Sequence, residues 1–154
     1  MPHGLTARCR ECAVLGSPAR YYGSEAMTGK VVQLHTPLGD EVLNLHAGDH
    51  VELSGIVYTA RDEAHMRMRN ESIPFNPRGA AIYHCGPVVQ DKKIIAAGPT
   101  TSARMNELSG FLLDRGVRAL IGKGGMGPKV REQLKKRGYT LHSPGVVQHS
   151  HHRI

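Results

Sequence analysis

Short apolar runs parted by glycine- and proline-bearing turns set the order of elements along this chain. Val31 to Leu34 and Val51 to Ala60 are β-branched and strand-like, separated by a Gly39-Asp40 turn, a short Glu41 to Leu45 segment and an Ala47-Gly48-Asp49 turn. This first half reads as a mostly antiparallel layer. Arg61 to Asn70 carries helix formers, and Asp62 and Glu63 in its first turn complement the helix dipole. Gly79 to Cys85 predicts a strand, and Val88 to Ala97 an extended stretch broken by the polar Gln90-Asp91-Lys92-Lys93 turn. The second half then alternates strand, helix, strand, helix. Ile94 to Ala97 and Val117 to Ile121 read as short buried strands. Met105, Leu108 and Leu112 fall at helical spacing between Thr100 to Ser102, which can cap, and Gly116, which ends the helix. Val130 and Leu134 do the same behind Pro128, with Glu132 and Lys136 at i,i+4 and Gly138 as the stop. Two successive strand-helix units imply parallel strands joined by right-handed crossovers, so the class is α/β.

Composition narrows the setting. The chain has 154 residues, close to the modal domain size and long enough for one core. No run approaches the roughly eighteen apolar residues of a membrane span. Arg8 and Arg10 are not followed by the uninterrupted apolar stretch and small-residue cleavage site of a secretory signal, so a cytoplasmic location is expected. Three cysteines make neither a disulfide framework nor a closed metal site. Cys9-Arg10-Glu11-Cys12 is half of a zinc motif without its second pair, and Cys85 reads as a small buried strand residue. Residues 1–26 are expected to be a poorly ordered leader and residues 143–154 a His-rich tail. His142 at its border and His149, His151 and His152 within it suit adventitious metal binding.

The chemistry concentrates in two glycine-bearing segments, Gly98-Pro99-Thr100-Thr101-Ser102-Ala103-Arg104 and Ile121-Gly122-Lys123-Gly124-Gly125-Met126. Each follows an apolar run and opens a helix-like one. Strand-to-helix turns of this kind present unpaired backbone N–H groups to negative ligands, so Gly98, Gly122 and Gly124 are read as a backbone anion turn. Thr100, Thr101, Arg104 and Lys123 add hydroxyls and fixed positive charge at the same edge. Gly122, Gly124 and Gly127 satisfy the dinucleotide pattern, but no acidic residue follows at the distance that holds a ribose. Gly116 to Lys123 misses the Walker pattern, because Gly124 stands where Ser or Thr should follow the lysine. The plain alternative is that these glycines only shape tight turns.

Joined with Thr59-Ala60-Arg61-Asp62-Glu63-Ala64-His65 upstream, the two segments resemble the signature of the β subunit, or carboxy-terminal domain, of class I fumarate hydratases and their L-tartrate dehydratase relatives. Leu34-His35-Thr36-Pro37-Leu38, the stretch from Leu45 to Gly55 and the stretch from Ile73 to Tyr83 extend the resemblance over roughly Met27 to Gly138. It implies a swivelling β/β/α domain over residues 27–142, with an antiparallel sheet, a parallel sheet and a helical layer. It implies a hydro-lyase acting on fumarate and L-malate, or on tartrate, and active only with an α subunit. That partner would hold a [4Fe-4S] cluster, and this chain would ligate no metal. It also implies Arg61 and Arg104 on substrate carboxylates, Lys123 beside the same anion, and Thr100 and Thr101 as hydrogen-bonding and catalytic hydroxyls. Thr100 is the expected acid-base residue.

Bland readings stand beside these. Arg61 can pair with Asp62 or Glu63 on a solvated helix face, and His65, one turn later, suits a packed or supporting histidine more than a catalyst. A net charge of +7 permits nucleic-acid binding. Without aromatic interleaving or a recognised reading motif that partner is disfavoured, and two substrate carboxylates account for the cations more economically. Because both ends depart from the family pattern, an inactive remnant or an anion-binding or nucleic-acid-binding module is the alternative of another class.

Overall fold

A computed structural model describes residues 8–10, 13–14, 30–46, 49–91, 93–137 and 139–142. In chain order the elements are β1 (Arg8–Arg10), β2 (Ala13–Val14), β3 (Val31–His35), a 3-10 turn (Asp40–Asn44), β4 (His50–Ser54), β5 (Ile56–Thr59) and α1 (Asp62–Asn70). There follow β6 (Ala81–Tyr83), β7 (Val88–Gln90), β8 (Lys93–Ala96), a 3-10 turn (Ser102–Met105), α2 (Asn106–Asp114), β9 (Ala119–Gly122), α3 (Pro128–Arg137) and β10 (Tyr139–His142). Strands β5, β6, β9 and β10 run parallel in one sheet of order β1-β5-β6-β9-β10, with β1 antiparallel at its edge. The smaller sheet has the order β2-β4-β3, and β7 and β8 form an antiparallel hairpin.

Strand periodicity explains why the large sheet lies between two layers. Successive side chains leave a strand on opposite faces, and the parallel register aligns Val57 with Ala81 and Ala81 with Ala119. Those residues, with Tyr83 and Ile121, pack on Leu34, Val42 and Leu53 from the smaller-sheet side. Ile82 and Leu120 point the other way and pack on Met105, Leu112, Leu113, Val130 and Leu134 from the helices. Both faces are therefore buried, as a parallel sheet requires. Leu120 has no exposed surface, so truncating it to Ala would cost roughly 2–5 kcal/mol. Among the described residues no helix is long and apolar enough to cross a membrane.

The expected α/β class is present, and four details differ from the sequence reading. Val51 to Ala60 is two strands in different sheets, because Gly55 turns the chain at φ +95°, a conformation that side chains rarely adopt. A Cβ at that position would collide with Thr36 Oγ1, which donates to the Ile56 carbonyl at 2.9 Å. The first half is mixed, since β3 and β4 pair in parallel across the 3-10 turn, whose Val42 is buried. Residues Ile94 to Ala97 belong to the hairpin, so the crossover through α2 starts from β6. No side-chain hydroxyl caps α2, which begins behind Met105. Within the expected leader, β1 and β2 extend β5 and β4 at sheet edges. Cys12 and the His-rich tail lie outside the described residues.

Candidate functional site

The carboxyl ends of β6 and β9 bring the two glycine-bearing turns together. His84, just past β6, donates its amide to the Ile121 carbonyl at 2.7 Å and accepts the Thr100 amide at 2.6 Å. Lys123 then donates to the Thr100 carbonyl at 3.4 Å and accepts from the Ser102 amide at 2.8 Å, which is a parallel bridge centred on Thr101. Thr100 is half-buried, while Thr101 and Lys123 face solvent. The crevice beyond the carboxyl ends of parallel strands is where open α/β sheets place ligands.

Charge converges on the same edge from α1. Asp62 Oδ2 lies 3.1 Å from Arg104 Nη2 and 3.8 Å from Arg61 Nε, so two guanidinium groups from separate elements share one carboxylate oxygen. The solvated reading of Arg61 is thus partly realised, since Asp62 is its partner. Glu63 is taken by Arg67 at 2.8 Å. The Arg61 stem lies over Gly86, where a Cβ would stand 2.8 Å from Cδ. Gly86 therefore leaves the room that Arg61 uses, a contact without a sequence signal.

The three glycines read as a backbone anion turn occupy different environments. Gly124 is exposed with φ +70°. Gly122 closes β9 and is buried, and a Cβ there would collide with Ser102 Oγ and lie 3.2 Å from His84 Nδ1. The Gly98 backbone hydrogen-bonds the Cys85 thiol. The Ser102 and Lys123 amides join the two turns through the Lys123 and Thr100 carbonyls, and the Thr100 amide is taken by the His84 carbonyl.

Beneath the charges lies a neutral layer that sequence reasoning largely missed. His65, His84 and Ser102 are fully buried. His84 Nδ1 is 3.3 Å from Ser102 Oγ, and His65 Nδ1 is 2.9 Å from the Arg61 carbonyl. Burial disfavours imidazolium, so the His84 pKa falls to about 3, with the neighbouring His65 pushing the same way. Burial also lowers His65, against the opposing pull of the Arg61 carbonyl and Asp62. The available signal for His84 was a lone histidine at the end of an apolar strand, beside the Cys85-Gly86-Pro87 turn.

Cys85 is buried and its thiol is pushed up to about 11 by burial, leaving it protonated near neutral pH. Among the described residues no three His, Cys, Asp or Glu side chains are grouped to hold a metal ion. A surface depression of about 380 Å³ elsewhere is lined in part by Asp40, Asp114, Arg118 and Arg137. These four charges pair with one another, Arg118 with Asp40 at 2.8 Å and Arg137 with Asp114 at 2.5 Å.

Comparison with known proteins matches residues 15–147 to the family described as fumarase C-terminus. A Geobacillus stearothermophilus protein provisionally named fumarate hydratase class I is 40% identical over 116 residues, covering 71% of this chain and 23% of that protein. A Methanocaldococcus jannaschii protein provisionally named L(+)-tartrate dehydratase subunit beta is 40% identical over 116 residues, covering 68% of this chain and 60% of its own length. The L(+)-tartrate dehydratase subunit beta of Escherichia coli K12 is 38% identical over 111 residues, covering 67% and 55%. The chain thus spans from about a quarter to somewhat over half of the relatives it matches.

Proposed function

Because the chain belongs to the fumarase C-terminus family, we propose that it is the β subunit of an iron-sulfur hydro-lyase, reversibly hydrating fumarate to L-malate together with an α subunit. The observation that carries this reading is the Arg61–Asp62–Arg104 convergence, in which two arginines already hold a carboxylate beside the joined Thr100–Lys123 turns. A substrate carboxylate offers the same oxygens to the same forks, and planar guanidinium groups suit that geometry.

In this reading the [4Fe-4S] cluster belongs to the α subunit and supplies a Lewis-acidic iron for the substrate oxygen. The described residues of this chain do not fit as its ligands, since Cys85 is buried and protonated and no three ligating side chains are grouped. What this chain does is bind and orient. Arg61 and Arg104 fix the substrate carboxylates, and Lys123 stabilises charge that builds on a carboxylate as the adjacent carbon loses its proton. Thr100 moves that proton through its hydroxyl, with Thr101 hydrogen-bonding the substrate. A threonine hydroxyl needs a neighbouring base to do so. Burial makes both histidines weak bases and Asp62 is held by arginines, so the α subunit supplies that base.

Dehydration of L-tartrate is the second reading. It is favoured by the separate β-subunit relatives, of which this chain covers 60% and 55%, against 23% of the fumarate hydratase. Both readings are tested by anaerobic reconstitution with the α subunit, followed by assay on fumarate, L-malate and L-tartrate. Turnover of one substrate only with both subunits present is expected. Turnover by this chain alone, with iron removed, contradicts the proposal.

A further inference from the structure

The two buried histidines have no part in that chemistry, yet each reaches a different arm of the site. His65 and His84 are 0% exposed and their rings stand 5.4 Å apart, edge to face. The Arg61 carbonyl can only accept, so the 2.9 Å contact means that His65 Nδ1 carries the proton. The same carbonyl accepts the His65 amide at 2.9 Å, which fixes the residue bearing the first guanidinium. On the other arm, His84 holds Ser102 Oγ through Nδ1 and the Thr100 amide through its carbonyl. Its ring occupies space that Gly122 leaves open.

A role as filler does not explain this chemistry. Both Nε2 atoms are buried without a partner, and stranding a buried polar atom is costly where an apolar side chain of similar size is not. We infer that His65 and His84 are a positioning pair that sets Arg61 and the Thr100–Ser102 turn relative to one another. The inference rests on the reading of those residues as the carboxylate clamp. Burial supports it by keeping both rings uncharged beneath two arginines, so they add no repulsion to the clamp.

The test compares Asn with Leu at each position in the full chain. Asn places an amide near the Nδ1 position but leaves a void, whereas Leu fills the volume and has no polar atom. Three readouts are melting temperature, affinity for succinate followed by NMR, and exchange of the Ser102 amide relative to that of Leu120. His84→Leu should melt above His84→Asn, bind succinate at least tenfold more weakly and exchange Ser102 at least tenfold faster. His84→Asn should melt lower yet keep succinate affinity within about threefold. Affinity and Ser102 protection that simply follow melting temperature, or wild-type behaviour in His84→Leu, overturn the inference. If wild type does not bind succinate, the clamp reading fails by itself, and Ser102 exchange still decides whether the ring positions the turn. Should a variant at 84 not fold, His65→Leu and His65→Asn apply the same reversal through the Arg61 carbonyl, read as succinate affinity and as the Arg61 Nε resonance. An unmoved resonance in His65→Leu overturns the pair.

Discussion

The exposed Arg61–Asp62–Arg104 triad and the buried His65–His84 pair stand on the same short stretches of chain, yet they use opposite electrostatics. The triad carries three formal charges at a wet edge, where each pairing is screened and contributes little to folding. On the proposed reading, both forks can be given to another carboxylate. The pair carries no charge because burial removes it, and its value lies in geometry. On the proposed reading, this site separates binding, assigned to charge at the surface, from alignment, assigned to uncharged rings beneath.

The largest effect that sharpens this division should come from Thr100→Ala in the reconstituted enzyme. Loss of a proton-transferring hydroxyl should lower kcat about a hundredfold while KM changes little, measured by steady-state kinetics. A raised KM with near-wild-type kcat would move Thr100 into the binding half of the comparison. Next, Arg104→Lys keeps the charge and loses the planar fork. It should lower kcat/KM roughly thirtyfold, about 2 kcal/mol, once the partner has desolvated the clamp. A silent Arg104→Lys removes the triad from the mechanism.

Acid should act on the buried half. The folded pKa of each histidine lies below the unfolded value, so the unfolded chain takes up protons first as pH falls. Stability should therefore be full above about pH 6.5 and decline toward the folded pKa near 3 for His84. Between pH 6.5 and pH 5 the His84 contribution should fall by about 2 kcal/mol in denaturant titrations, and His84→Leu should flatten the profile. An unchanged slope in that variant would mean that another group governs acid lability. The smallest effect belongs to Glu63→Gln, which breaks the exposed i,i+4 pair with Arg67 one step from the triad. It should change stability by about 0.5 kcal/mol or less and leave substrate affinity unmoved.

Much of this arrangement was legible where local pattern and global packing agree. Val117 to Ile121 announced a buried strand, Pro128 opened a helix, and the two glycine-bearing segments fell in strand-to-helix turns. What was not legible depended on contacts between distant residues. Gly55 reads as one more glycine in an extended run until Thr36 stands against it and the chain changes sheets. Ile94 looks like a central parallel strand because its run is apolar, whereas Ile95 is exposed and the segment pairs back on β7. Ser102 looked like a cap and instead faces His84, a partner 18 positions away. The neighbouring Arg61 and Asp62 suggest a pair, but no pattern along the chain shows that Arg104, 42 positions from Asp62, joins it.

The claim that the two turns and the two arginines make one anion site is tested most directly by a crystal of the free chain grown with sulfate or succinate. One anion should sit between Thr100 to Arg104 and Lys123, with Arg61 or Arg104 turned from Asp62 toward it. Arg104 and Lys123 pointing to opposite faces, with the anion bound elsewhere, would contradict the account.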